Sequence, residues 1–140
     1  MKIHHIGYFV NDIEKAREDF KKIGYVEKSR CIFDEIRKIF IQFMRFGETG
    51  GGTIIEMISP GEGCKLFSEK FRAQGSRPYH ICYECENLEE KIRELQSENF
   101  LLIREPQPAP AIGNRRVAFM YGENVGQIEL LELKTGGKEF

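Results

Sequence analysis

The chain has 140 residues, the length of one domain with a substantial core. Its 21 lysines and arginines nearly balance its 22 aspartates and glutamates, so the overall charge indicates neither nucleic acid nor a membrane surface as a partner. No secretory signal and no membrane-spanning apolar stretch is recognisable, which predicts a cytoplasmic protein whose four cysteines are reduced.

The first strand is predicted at "HHIGYFV", residues 4–10, an apolar run headed by two histidines. An amphipathic helix follows, with Asn11 or Asp12 as its N-cap and apolar residues at helical spacing on one face, namely Ile13, Ala16, Phe20 and Ile23. Two further apolar segments, "EIRKIFIQFMRFG" and "GTIIEMISP", predict strands joined by a glycine-rich turn.

The same plan returns in the second half of the chain. "YHICYEC" at residues 79–85 predicts a second histidine-headed strand, and "ENLEEKIRELQSENF" predicts a helix capped by Asn87. The predicted strands that follow are "FLLIREP", "RRVAFMYG" and "GQIELLEL", with a proline-rich loop, "EPQPAPAIGN", between the first two.

The spacing of matching residues indicates that one module was duplicated. His5 and His80 are 75 residues apart, and Glu56 and Glu129 are 73 residues apart. We therefore predict a single domain over residues 1–140 with four parts. They are a first module at about 1–60, a connecting helix at about 62–75, a second module at about 76–134 and a C-terminal tail at 135–140.

Two histidines and two glutamates occupy matching places in this repeat. Strand alternation puts His5 on one face with Gly7 and Phe9, while Glu56 and Glu129 each lie within an apolar strand. A buried carboxylate is costly unless it is paired, protonated or bound to a metal, and this donor set suits a divalent transition metal. Taken singly, each residue has an ordinary alternative: a half-buried histidine, His4 facing inward instead, or a glutamate at the rim of the sheet.

Four segments carry a resemblance to a known family: "HHIGYFVNDIEKA", "IIEMISP", "PYHICYECENLEE" and "GNRRVAFMYGENVGQIELLE". They resemble the vicinal oxygen chelate (glyoxalase, bleomycin resistance, dioxygenase) superfamily, and within it the methylmalonyl-CoA epimerases. The resemblance implies an α+β, glyoxalase-like fold in which two paired βαβββ modules form an incomplete barrel or cup around one divalent metal ion. Its implied ligands are His5, Glu56, His80 and Glu129, a set that accepts cobalt, nickel, zinc or manganese.

The implied activity is that of an epimerase or isomerase. It abstracts a proton α to a carbonyl through a metal-stabilised enolate, on an acyl-CoA thioester such as methylmalonyl-CoA, with Glu129 and Glu56 as the candidate bases. Arg115 and Arg116 are candidates for holding a phosphate or carboxylate of the substrate, or else they form a solvated loop end. Phe119 is a candidate for the apolar lining or for the core.

The family habit also predicts a homodimer. Two other functions stay open at this point: a lactoylglutathione lyase of the glyoxalase I type, and a non-catalytic protein that binds a small molecule, as in antibiotic resistance.

Overall fold

The structure is a computed structural model that describes residues 1–48 and 50–133. Within the described residues, the chain forms two compact units: residues 5–79, and residues 80–133 together with residues 1–4. None of the described helices has the length and apolar character needed to cross a membrane. The predicted C-terminal tail at 135–140 lies outside the described residues.

The first module contains one long helix and several strands. Its elements are β1 (Lys2–Phe9), α1 (Ile13–Lys22), β2 (Tyr25–Glu27), β3 (Ile32–Asp34), β4 (Ile39–Phe46) and β5 (Ile54–Pro60). The strands lie in the order β2, β4, β5, β1, and β3 pairs with the other half of β4. β1 is parallel to β5, whereas the other pairs are antiparallel. β2 and β3 were not predicted from the sequence, because three residues are too few to establish a strand periodicity.

The second module repeats this arrangement. Its elements are β6 (Arg77–Cys85), α3 (Leu88–Ser97), β7 (Leu101–Ala109), a short 3-10 helix (Pro110–Ile112), β8 (Arg115–Gly122) and β9 (Gly126–Glu132). The strands lie in the order β6, β9, β8, β7, with β6 parallel to β9. β7 thus takes the place that β2 and β3 share in the first module. The predicted α+β class built from βαβββ modules is confirmed.

Each long helix covers one face of the strands of its own module. The Asp12 side chain accepts a hydrogen bond from the Lys15 amide, and Asn87 accepts one from the Glu90 amide, so both helices begin as predicted. Under each helix lies a cluster of buried apolar residues. The first contains Val10, Ile13, Met44, Ile55 and Met57, and the second contains Cys85, Leu88, Ile92, Ala118, Met120, Ile128 and Leu130.

The predicted proline-rich loop is wrong in its first half. Residues 105–109 belong to β7, which pairs with β8 through register shifts on both sides of the Arg104–Phe119 pair. β7 is the last strand of its sheet order, and an edge strand tolerates proline because one row of its amide groups needs no partner in the sheet.

The connecting helix is much shorter than predicted. Helix α2 spans only Glu69–Ala73, because the Ser68 side chain caps it by accepting a hydrogen bond from the Phe71 amide. Phe67 lies before the cap, and its ring stacks on that of Phe71 while both rings contact Phe9. Phe67 and Phe71 therefore belong to an aromatic cluster and do not line one face of a longer helix.

The cap of α3 provides a test of this local structure. Replacing Asn87 with alanine leaves the Glu90 amide without its cap, so we expect the free energy of unfolding to fall by about 1 kcal/mol. Urea denaturation measures the change. Gln96→Ala, an exposed substitution within the same helix, serves as the control and should not destabilise the protein. Equal stability of Asn87→Ala and wild type would contradict the capping role.

Candidate functional site

A buried histidine–glutamate pair lies in the first module. In the parallel pairing of β1 with β5, Gly7 is opposite Glu56, and strand alternation puts His5 on the same face as Gly7. His5 Nε2 lies 3.4 Å from Glu56 Oε1, and the two residues are only 1% and 4% exposed. His5, rather than the half-buried His4, therefore points to the glutamate.

The second module contains the equivalent pair. Cys82 is opposite Glu129 in the parallel pairing of β6 with β9, and His80 lies two residues before Cys82. His80 Nε2 is 3.2 Å from Glu129 Oε1, and both residues are 4% exposed. The same register thus builds the same pair twice.

In each module, a phenylalanine on the strand next to the glutamate-bearing strand contacts the histidine. Phe43 is opposite Glu56 in the β4–β5 pairing, and Phe119 is opposite Glu129 in the β8–β9 pairing. The ring centroid of Phe43 lies 5.3 Å from that of His5, and Phe119 lies 5.4 Å from His80, both edge to face. The two phenylalanines are 76 residues apart, so their spacing in the sequence already matched that of the repeat. The contact with His80 makes Phe119 part of the surroundings of the second pair.

Each pair combines an imidazole nitrogen with a carboxylate oxygen, away from water. Such a group can share a proton between the two atoms, or both atoms can coordinate a cation. Burying a carboxylate without either kind of partner raises the free energy of the folded state. Metal binding would offset this unfavourable contribution. Every member of the predicted ligand set therefore lies in a pair suited to that role.

Arg115, a predicted substrate-binding residue, is largely buried and held by the protein. Its Nη2 donates a hydrogen bond of 2.7 Å to Glu84 Oε2, and its Nε donates one of 2.8 Å to the carbonyl oxygen of Glu132. Lys2 Nζ lies 3.8 Å from the other oxygen of Glu84, so this carboxylate faces two cations.

Arg116, the second predicted arginine, is fully engaged by two carboxylates. Its Nε and Nη2 donate to Glu132, and its Nη1 lies 2.6 Å from Glu89. Hydrogen bonds from Arg116 lower the pKa of both Glu89 and Glu132. The acidic partners of both arginines lie on other elements of the fold, so no local pattern in the sequence indicated them. Substrate binding by Arg115 and Arg116 remains a prediction.

The fold, the repeat and the paired site residues agree with a family match over most of the chain. The model of the glyoxalase, bleomycin resistance protein and dioxygenase superfamily matches residues 4–119, and the chain belongs to this superfamily. The predicted family is thereby confirmed.

Individual relatives are similar at low sequence identity. Mitochondrial methylmalonyl-CoA epimerase of Bos taurus is 24% identical over 136 residues, covering 95% of this chain and 73% of the relative. The crystal structure of methylmalonyl-CoA epimerase from Mycobacterium tuberculosis has a TM-score of 0.77 at 20% identity, covering 94% of this chain and 87% of that one. A variant of the Streptomyces coelicolor methylmalonyl-CoA epimerase, in complex with 2-nitronate-propionyl-CoA, has a TM-score of 0.78 at 14% identity, covering 99% and 98%. These structural matches support the fold.

The ion pairs of Arg116 predict a specific dependence of stability on pH. Because the folded-state pKa values of Glu89 and Glu132 are depressed, the stabilisation by Arg116 is present above their ordinary pKa of 4.5 and is lost as pH falls through the lower folded values. We therefore expect Arg116→Met to destabilise the protein at pH 7 and to differ less from wild type at about pH 3.

Urea unfolding of both proteins at the two pH values measures this difference. Lys15→Met, which removes an exposed cation from α1, is the control and should show a small difference from wild type at both pH values. A difference for Arg116→Met that stays constant from pH 7 to 3 would contradict the assignment.

Proposed function

We propose that this protein is a divalent-metal-dependent epimerase or isomerase that moves a proton α to a carbonyl, acting on an acyl-CoA thioester such as methylmalonyl-CoA. The observation that carries the proposal is the presence of two buried histidine–glutamate pairs, built at the same register in both modules. Neither pair is needed to form the apolar clusters under the helices, which lie on the other face of the strands of each module.

In this proposal, one divalent ion is held jointly by four ligands: His5, Glu56, His80 and Glu129. Their chemistry fits such an ion, since two neutral imidazoles and two carboxylates give a mixed nitrogen and oxygen set with a compensating charge of −2. Cobalt, nickel, zinc and manganese all accept these ligands. When bound, the ion supplies positive charge that stabilises negative charge on a substrate oxygen, which is worth several kcal/mol.

The proton transfers fall to Glu129 and Glu56. A carboxylate has two oxygens, so one can coordinate a cation while the other accepts a proton from the substrate. General base catalysis by a positioned carboxylate contributes roughly a hundred- to ten-thousand-fold in rate. Because epimerisation needs one group to remove a proton and another to return it on the opposite face, a base in each module suits the reaction.

The names of the relatives support the substrate class. The bovine relative is a methylmalonyl-CoA epimerase, and the Streptomyces epimerase variant is in complex with 2-nitronate-propionyl-CoA. The edge-to-face contact between the rings of Phe119 and His80 suits a role in excluding water from the second pair. A homodimer, a cytoplasmic location and substrate contact by at least one of Arg115 and Arg116 are further parts of this proposal.

The two adjacent histidines of β1 provide a matched test of the metal site. His5→Ala removes a proposed ligand, so we expect the purified variant to bind divalent metal at least tenfold more weakly than wild type. His4→Ala removes the neighbouring imidazole and should retain stoichiometric metal. Isothermal titration of metal-stripped protein with cobalt, nickel, zinc and manganese gives the affinities. Equal losses in the two variants would be inconsistent with His5 as a ligand.

The proposed reaction is tested by solvent exchange. Metal-loaded protein incubated in heavy water with methylmalonyl-CoA should incorporate deuterium at the α-carbon, as detected by mass spectrometry. Glu129→Gln should slow exchange by at least a hundredfold because it removes a base. Glu94→Gln makes the same change of charge at an exposed position of the same unit and should leave the rate unchanged.

The possible outcomes separate the alternatives. No exchange by a protein with stoichiometric metal would reject the epimerase, and a hemithioacetal of glutathione would then test for lactoylglutathione lyase activity. Unchanged exchange in Glu129→Gln would reject Glu129 as a base. Tight binding of an acyl-CoA without turnover, equal in the wild type and in His5→Ala, would favour a non-catalytic binding protein.

A further inference from the structure

A second buried polar pair lies on the face of the second module that carries His80 and Glu129. Glu84 follows His80 by four residues on β6, and Arg115 precedes Phe119 by four residues on β8, so alternation puts both on that face. Four residues of extended strand correspond to about 13 Å. The Glu84–Arg115 pair therefore shares the face of the proposed catalytic residues but lies well away from them.

The first module shows that the fold does not require this charged pair. The positions equivalent to Glu84 and Arg115, 75 and 76 residues earlier, are Phe9 and Ile39, which are 0% and 3% exposed. A buried ion pair is generally no more stabilising than well-packed apolar side chains of similar size. Stability alone therefore does not account for the departure of the second module from the repeat.

The two neighbouring arginines differ in the donors that they leave available. All three guanidinium nitrogens of Arg116 contact carboxylates. Arg115 uses Nε and Nη2, and its Nη1 makes no hydrogen bond with any residue that the structure describes. Two bonds fix the guanidinium of Arg115, whose side chain is 9% exposed, so the Nη1 edge is rigidly oriented.

The balance of charge around the two arginines also differs, and it too favours Arg115 as the one that can bind an anion. Arg116 faces two carboxylates, and its charge is more than balanced. Arg115 shares the single carboxylate of Glu84 with Lys2, which leaves an excess of one positive charge around Glu84. An anion beside Arg115 would balance this charge and could accept from the remaining Nη1 donors.

We propose that Arg115, held in position by Glu84, binds a phosphate oxygen of the substrate, and that Arg116 is a structural clamp joining β8, β9 and α3. This inference rests on the proposed function for the identity of the substrate. The separation of about 13 Å along the strand favours a phosphate of a long substrate such as an acyl-CoA. By contrast, a carboxylate adjacent to the reacting carbon would lie within a few bond lengths of the catalytic glutamates, and so would not extend to Arg115.

A direct test uses metal-free protein and small anions, so that it needs no catalytic activity. Inorganic pyrophosphate is titrated into the protein while the side-chain nitrogen signals of its arginines are followed by NMR, with malonate as the carboxylate probe. We expect pyrophosphate to shift the signals of Arg115 in a saturable manner and malonate to leave them unchanged. Arg115→Lys, which keeps the charge but loses the fork, should weaken pyrophosphate binding at least tenfold, whereas Arg116→Lys should change it less than twofold.

Each of the other results would overturn the inference. Saturable shifts caused by malonate instead would identify a carboxylate as the ligand. Absence of any shift at Arg115 in the wild-type protein would reject an anion site there, and this observation does not depend on whether a variant folds. Equal weakening in the two lysine variants would mean that Arg115 has no role distinct from that of Arg116.

A kinetic experiment separates this inference from the proposed reaction. With methylmalonyl-CoA, Arg115→Lys should raise KM at least tenfold and change kcat less than twofold, because the phosphate contact is the same in the ground state and the transition state. A loss confined to kcat would contradict it. If the wild-type protein does not turn over this substrate, the proposed reaction fails while the pyrophosphate titration still decides the role of Arg115.

Discussion

The parallel pairing between the first and last strands of each module is the constraint on which the site depends. In both modules, the residue two positions after the histidine is opposite the glutamate, as Gly7 is to Glu56 and Cys82 is to Glu129. A shift of this register by one residue would turn the glutamate to the other face, where the helix packs. The apolar clusters under α1 and α3 oppose such a shift. It would place the glutamate beneath the helix and turn the apolar side chains of the strand away from the helix.

The buried polar groups that result are unfavourable for folding by themselves. His5, Glu56, His80 and Glu129 are removed from water, and a phenylalanine ring packs edge to face with each imidazole. A protein that only needed a stable sheet would gain more from apolar residues at these positions. The loss of stability has a functional explanation if these side chains must be positioned for a cation and for proton transfer in a region that excludes water.

Departures from the repeat are as informative as the repeat itself. Positions shared by the two modules carry histidine, glutamate and phenylalanine, whereas Phe9 and Ile39 of the first module are replaced by Glu84 and Arg115 in the second. Gln42, on the helix-facing side of β4, bonds to Arg17, Glu27 and the carbonyl of Ser29, whereas the equivalent residue of the second module is Ala118 in an apolar cluster. One duplicated scaffold thus supports two different surroundings.

The sequence by itself determined the repeated order of strand, helix and further strands, the N-cap regions of α1 and α3, and the candidate residues of both histidine–glutamate pairs, because periodicity, capping and matched spacing can be read from the chain without its tertiary contacts. Only the tertiary structure decided that residues 105–109 form an edge strand and that the connecting helix shrinks to Glu69–Ala73. It also decided that Arg115 and Arg116 bond to different acids. These features depend on contacts between residues distant in the chain, such as Glu84 with Arg115, and no local pattern encodes which strand lies at an edge or which charges meet.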